Sequence, residues 1–402
     1  MNGYYADLHI HLGRDGEGHP VKIAASSDLT VRGVIEECSA RKGIHIAGIV
    51  DCHSPGVIRD LEGLVAEGRA CEFSGGGIWI PGRGGEGRGE HGGVTVIPAS
   101  EVELAANGAR FHIIAYLPSI DAAKGFSSWL KPRVTNLSLS SQKCSADPGE
   151  VVESVARLGG FCVPAHVFTP HRGVLGACAD RLASVFDASS LDSIPAVELG
   201  LSADTDMADT IDEMAEFTFL SNSDAHSKAT IARECNLLVM NAPGFSELES
   251  SLRRRGSRKV GANYGLDPRL GKYHRTLCLE CGRPALGGEA AECPACGSSR
   301  VVRGVWDRVR RIASYDHPVH PAHRPPYIHQ VPLSFIPGVG PKTLDRMIAR
   351  FGSEMNALHQ ATRDELVEVV GEAVAGRVIA AREGRLKVRP GAGGSYGSIT
   401  SY

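Results

Sequence analysis

Up to about residue 240 the chain alternates short apolar runs with amphipathic stretches. The runs at 44–50, 93–97, 111–116, 160–165 and 217–220 are too short for ordinary helices and predict buried strands. Segments 31–41 and 149–158 space their apolar residues as helices do. Strand and helix in alternation predict an α/β domain on a mostly parallel sheet or barrel, with its chemistry at the C-terminal ends of the strands. Residues 74–93 are rich in glycine and predict a mobile loop. The basic run 252–259 marks a boundary, and the Pro/His-rich stretch 314–332 reads as an extended linker into a final helical region. The expected division is therefore an α/β domain over 1–250, a basic domain over 251–313, the linker, a helical region over 333–388 and a disordered Gly/Ser-rich tail over 389–402.

At 402 residues, several domains are expected in any case. No run approaches the roughly 18 apolar residues of a membrane helix, and the first residues lack a signal-peptide pattern, so a cytoplasmic protein with no membrane partner is expected. Net charge is −3, but residues 1–250 carry 19 Lys+Arg against 33 Asp+Glu whereas residues 251–402 carry 24 against 13. A polyanion would therefore engage the second half.

Asp7-Leu8-His9-Ile10-His11 sets two imidazoles on one side of an extended segment, because strand side chains alternate faces. The other expected strand ends carry Asp51 and His53, Glu101, His112, His166, and Asp224 with His226. One histidine on an apolar strand is ordinarily a hydrogen-bonded core residue, but six such cases mixed with carboxylates point to metal. These donors exceed the needs of one tetrahedral zinc and fit two or three divalent ions sharing a carboxylate. Clusters of that kind hydrolyse phosphate esters.

In this order the motifs resemble the PHP (polymerase and histidinol phosphatase) phosphoesterases: D-x-H-x-H near the start, P-x-x-E before an apolar strand with His, a later A-H, and a final S-D-x-H. The resemblance implies a distorted (β/α)7 barrel with a trinuclear site of Zn, Mn or Mg. His9, His11, Glu101, His112, His166, Asp224 and His226 would be ligands with Glu101 bridging, and Asp224, Glu101 and His166 would form the catalytic group. Two departures stand out. Val50-Asp51-Cys52-His53 replaces the usual T-D-H, which leaves open which of Asp51, Cys52 and His53 is a ligand, and the additional His expected soon after His11 is missing. Segments 136–143, 164–173, 197–209 and 221–227, with a zinc finger and a helix-hairpin-helix C-terminal to them, resemble the endonuclease Q family over nearly the whole length. That resemblance implies metal-dependent cleavage of DNA on the 5′ side of uracil, hypoxanthine, xanthine and abasic sites. By position after strands, Ser138, Ser140, Ser141, Gln142, His171, Glu198 and Leu199 are candidates for the pocket that receives an extruded base.

In the finger, Cys278-x-x-Cys281 and Cys293-x-x-Cys296 lie eleven residues apart, the spacing of a closed four-thiolate structural zinc. Arg253, Arg254, Arg255 and Lys259 flank it and are candidate phosphate contacts. Ile336-Pro337-Gly338-Val339-Gly340-Pro341-Lys342 resembles a helix-hairpin-helix turn, in which Gly338, Gly340 and Lys342 would meet a DNA phosphate. A degenerate second copy is expected at 370–374. A PHP-type exonuclease and a small-molecule phosphomonoesterase are the alternatives, and a replication or repair clamp is left open as a further partner.

Overall fold

The computed structural model describes residues 1–82, 92–284 and 292–400. Its elements, in chain order, are β1 (Asn2–Ile10), α1 (Val31–Glu37), β2 (Ile46–Ile49), α2 (Pro55–Ala66), β3 (Cys71–Glu72), β4 (Ile78–Pro81), β5 (Gly93–Ala106), β6 (Ala109–Tyr116), α3 (Ile120–Leu130), α4 (Pro148–Arg157) and β7 (Phe161–Pro164). They continue with α5 (Ala188–Ser193), β8 (Ala196–Glu198), α6 (Thr205–Ala208), β9 (Thr218–Leu220), β10 (Cys235–Met240), α7 (Phe245–Leu252) and β11 (Lys259–Gly265). The remainder is β12 (Leu277–Cys278), β13 (Val301–Val302), α8 (Val305–Ile312), β14 (Tyr327–His329), α9 (Pro341–Phe351), α10 (Glu354–His359), α11 (Arg363–Val370), α12 (Glu372–Arg382), β15 (Lys387–Arg389) and β16 (Ser398–Thr400).

β1 pairs in parallel with β2 and β2 with β5, as alternation of strand and helix requires. The rest departs from the expected mostly parallel sheet. β10 runs antiparallel to β1, and β6 runs antiparallel to both β5 and β7. The long β5 explains the change: its first half, to Pro98, lies on β2, and from Ala99 onward it turns to β6. Alternate residues of the strands, Tyr4 and Leu8, Ile46, Ile97, Ile114, Val163 and Leu220 among them, share one buried apolar cluster, so the strands surround a common interior. The helices cover the outer face through a second, larger cluster.

Three expectations about organisation need correction. Residues 78–81 of the expected glycine-rich loop form β4 against β5, while 83–91 lie outside the described residues. The main sheet does not stop at 250: β11 pairs with β10, and β14, from the expected linker, pairs with β11. The expected disordered tail forms the β15–β16 hairpin, held to the chain after β11 where the Gly391 N–H donates to the Arg269 carbonyl at 2.7 Å and that of Gly397 to Leu270 at 2.9 Å. The β11–β14 pairing and the docking of the tail on Arg269 and Leu270 join distant parts of the chain, which composition does not register.

α9 to α12 pack on their own apolar cluster. Thr362 and Glu365 cap the start of α11 reciprocally, satisfying amides that the helix leaves free. A buried Lys42–Glu354 ion pair at 2.8 Å, an Arg41–Asp345 pair at 2.8 Å and the tilted packing of the His359 ring against Tyr264 join these helices to the α/β domain. No helix among the described residues is long and apolar enough to cross a membrane.

Candidate metal centre

His9 and His11 sit at the exit of β1, and both are buried. Each has its ring oriented by a carboxylate. Glu198, at the end of β8, lies 3.0 Å from His9 Nδ1, and Asp51, just past β2, lies 3.3 Å from His11 Nδ1. Both histidines therefore turn Nε2 inward, where the two nitrogens stand 3.4 Å apart. Opposite them Glu101 Oε1 is 3.5 Å from His9 Nε2 and 3.6 Å from His166 Nε2, and Glu101 Oε2 is 3.4 Å from His11 Nε2. Asp224 Oδ1 completes the ring at 3.5 Å from His9 and 3.6 Å from His226 Nδ1. His112 Nδ1 lies 2.8 Å from Glu101 Oε1 without hydrogen-bond geometry. Lone pairs brought this close without shared protons are what a cation between them would explain, and two groups, His9/His11/Asp224 and Glu101/His112/His166, each converge within 4.8 Å. The donor set fits divalent ions, with imidazole and carboxylate suited to Zn, Mn or Mg.

The backbone at the centre is held in unusual shapes. Ser141, His166 and Asp224 take φ of 51°, 31° and 46°, a region that side-chain-bearing residues rarely enter. Asp7 helps fix the Asp224 loop by accepting the Ser223 and Ala232 amides at 3.1 and 2.9 Å. Gly200 permits the close packing behind His166, because a Cβ there would lie 2.8 Å from His166 Cβ. Burial works against charge on Glu101, yet His112 and Lys22 beside it hold the carboxyl well below its ordinary range.

Most sequence-predicted residues meet here, but not all in the expected role. Asp51 does not face the centre directly, since its oxygens serve His11 and the Leu12 amide. His53 turns Nε2 to the Leu139 carbonyl at 3.2 Å, outside both donor groups. His112 lies near the start of β6 instead of at a strand end, carried to the centre by the antiparallel return. Among the base-pocket candidates, Leu199 is fully buried and Glu198 serves His9 and Asn222. Ser140 lies 3.1 Å from His11 Nδ1, and Ser141 contacts Glu101, so both border the metal centre. Ser138 lines a separate small cavity, and the Gln142 carbonyl is bonded to the Glu103 amide. Of these candidates, His171 and Glu198 line the cavity of about 570 Å³ above the donors, and Tyr273 packs edge-on against His171. Lys22, Arg233, Lys272 and Tyr396 also line it. No motif distinguishes these four, because each comes from a different part of the chain.

The basic run is placed away from this face. Lys259 pairs with Val239, which pairs with Gly3 at the entry of β1, roughly 20 Å along the strand from His9. Arg253 and Arg254 are spent on the Ser193 and Glu216 carbonyls, and Arg255 shares their end of the molecule. Cys278, Cys281, Cys293 and Cys296 do converge, with Sγ–Sγ separations of 3.7 Å for 278–296 and 281–293. That matches the edge of about 3.8 Å in a tetrahedron of Zn–S bonds near 2.3 Å. Residues 285–291 between the knuckles lie outside the described residues.

No family model matches the chain. It is 42% identical to the uncharacterized protein YqxK of Bacillus subtilis, over 99% of this chain and 100% of that one. The crystal structure of the lesion-specific endonuclease PfuEndoQ from Pyrococcus furiosus matches with TM-score 0.83 at 29% identity, covering 100% of this chain and 96% of its own. Endonuclease Q in complex with a 27-mer duplex bearing an abasic lesion at the active site matches at 0.84 and 29%, covering 100% and 97%. This chain belongs to the endonuclease Q family. The endonuclease Q match spans the four-cysteine cluster and the C-terminal helices as well as the α/β domain. The mixed α/β architecture is therefore that of endonuclease Q as a whole.

Proposed function

We propose that this chain is a metal-dependent DNA repair endonuclease that hydrolyses the phosphodiester on the 5′ side of uracil, hypoxanthine, xanthine and abasic sites. The observation that carries the reading is the convergence of Glu101 and Asp224 with His9, His11, His112, His166 and His226 below an open cavity, in a chain of this family. A PHP-type (β/α)7 barrel is the frame we assign to it. Divalent ions held by these donors would supply a water nucleophile near neutral pH and neutralise charge on a scissile phosphate. The chain's own part is orientation: Glu198 and Asp51 fix the two imidazoles, and Asp7 fixes the loop that presents Asp224.

An extruded base would enter the cavity beside His171 and Tyr273, whose rings form one wall. For the rest of the duplex, Gly340 leaves open space beside its Cα at the start of α9, and Lys342, Arg346 and Arg350 recur along that helix as exposed cations. That geometry supports phosphate binding by a helix-hairpin-helix turn. The four cysteines are assigned a structural zinc, with no open position for chemistry. A small-molecule phosphatase would have no use for these additions, and an exonuclease would need an end.

The test uses duplexes with one uracil, hypoxanthine, xanthine or abasic site, with the break mapped on a sequencing gel in Mg²⁺ or Mn²⁺. One break on the 5′ side of each lesion is expected. Cleavage only from the ends would favour the exonuclease.

A further inference from the structure

A second cavity, of about 880 Å³, lies between α6, α8 and the 313–318 segment, and it exceeds the one above the metal donors. One stretch of backbone separates the two: Lys272 and Tyr273 line the first, and His274 and Arg275 line the second. The loop after β8 divides in the same way, with Gly200 and Leu201 on the first cavity and Asp204 on the second. The two cavities are thus back to back.

The wall is fixed where the Val305 and Trp306 amides, at the start of α8, donate to the Tyr273 and His274 carbonyls at 2.7 and 3.1 Å. Val305, Val309 and Ile312 bury one face of α8, and on the adjoining face Trp306 and Arg310, one turn apart, line the cavity. The Trp306 ring is half-buried, and the Arg310 guanidinium stands 6.0 Å from its centroid. Arg310 is exposed and has no carboxylate partner among the described residues. Asp204 and Asp267 also line the cavity, but they are paired with His329 at 3.1 Å and Arg269 at 2.9 Å, so they leave that charge uncancelled. His274 is 8% exposed, and its Nδ1 has no hydrogen-bond partner among the described residues. Burial holds its pKa below the ordinary range, so a neutral imidazole is left with unused hydrogen-bonding capacity.

We infer that this cavity is a second nucleobase site, which takes an unstacked base of DNA against Trp306 with its phosphate at Arg310. An aromatic face flanked by a free cation and an unpartnered imidazole matches a flat ring with a polar edge on a charged backbone. Stacking of a base on an aromatic ring is tolerant of sequence, as a chain that meets lesions in any context requires. Extruding one base supplies the ligand, because it leaves a neighbour unstacked and the former partner unpaired. The inference rests on the reading of this chain as a DNA enzyme, but it uses neither the metal donors nor the cavity above them.

Trp79 and Trp129 line neither cavity, so the fluorescence lost in Trp306→Phe belongs to the Trp306 ring. A short undamaged single strand titrated onto the full chain should quench that emission to saturation. Trp306→Ala should bind the strand roughly 10-fold more weakly. Arg310→Gln should flatten the salt dependence of binding by roughly 0.7 per phosphate lost. Unchanged Trp306 emission, or Arg310→Gln with the wild-type salt slope, would overturn the inference even if Trp306→Ala fails to fold. To identify the strand, 5-iodouracil is placed beside an abasic site in the lesion strand, or opposite it in the complementary strand, and photocrosslinked to the wild type. An adduct on Trp306 or His274 from either position supports the site and names the strand, and adducts from neither overturn it. Incision of the same duplexes is scored in parallel, so a chain that quenches and crosslinks without cutting contradicts the endonuclease reading alone.

Discussion

Asp51 holds His11 from behind: its carboxylate lies 3.3 Å from His11 Nδ1 and accepts the Leu12 amide at 2.6 Å. Such a partner fixes the ring and raises its basicity, and losing it typically weakens metal binding roughly 10- to 100-fold. Asp51→Asn should therefore bind Mn²⁺ or Zn²⁺ that much more weakly with its fold intact. Titration against a competing chelator measures this, and unchanged affinity would remove Asp51 from the centre.

Cys281→Ser should cost the chain about one tightly held zinc and loosen the region around β12 and β13, because a finger of this size has little core of its own. Zinc content and DNA affinity should fall together. A variant with one zinc fewer and full affinity would separate the cluster from DNA binding.

If Gly340 and Lys342 hold phosphates, Gly340→Val with Lys342→Glu should weaken binding to damaged and intact duplex alike. The slope of log K against log salt should drop by roughly 0.9 per phosphate released. Binding across a salt series reads this, and loss confined to damaged duplex would instead assign the turn to lesion recognition.

His359 makes the joint with the C-terminal helices acid-sensitive. It packs against Tyr264 and bonds Gln330 at 3.0 Å, and burial, with Arg382 adding to it, pushes its pKa down from 6.5 to about 4. The folded chain keeps this group neutral while the unfolded chain protonates it, so stability is lost as pH falls from 6.5 towards 4 and levels off below that. The loss is at most about 3 kcal/mol. Urea midpoints across that range should fall for the wild type and fall less for His359→Gln. Equal falls would place the acid sensitivity elsewhere.

The sequence announces the centre where the chemistry is local. His9 and His11 share a strand face by spacing alone, and Glu101 and Asp224 lie in short motifs. What it conceals depends on direction and distance. Whether Asp51 faces a metal or a histidine follows from the register of β2 beside β1, and Glu198 reaches His9 where its equally buried neighbour Leu199 does not. Lys22 reaches the centre through a backbone fold-back that no residue pattern marks. The antiparallel return of β6 is a local hairpin across Asn107-Gly108, a turn signal the residues do carry, whereas the docking of the tail on Arg269 and Leu270, which brings Tyr396 to the cavity, is long-range and set by tertiary packing. The basic run at 253–259 shows the converse, since charge in sequence says nothing about which end of a sheet carries it.

Cleavage within duplex DNA at a lesion by the centre around Glu101 and Asp224 can be read on covalently closed circular DNA carrying a single uracil or abasic site, beside an undamaged circle. Wild type with Mg²⁺ or Mn²⁺ should convert the damaged circles to nicked form and leave the intact one closed. EDTA or Asp224→Asn should abolish this while DNA binding persists. Equal nicking of damaged and intact circles, or full activity in pure Asp224→Asn, would contradict it.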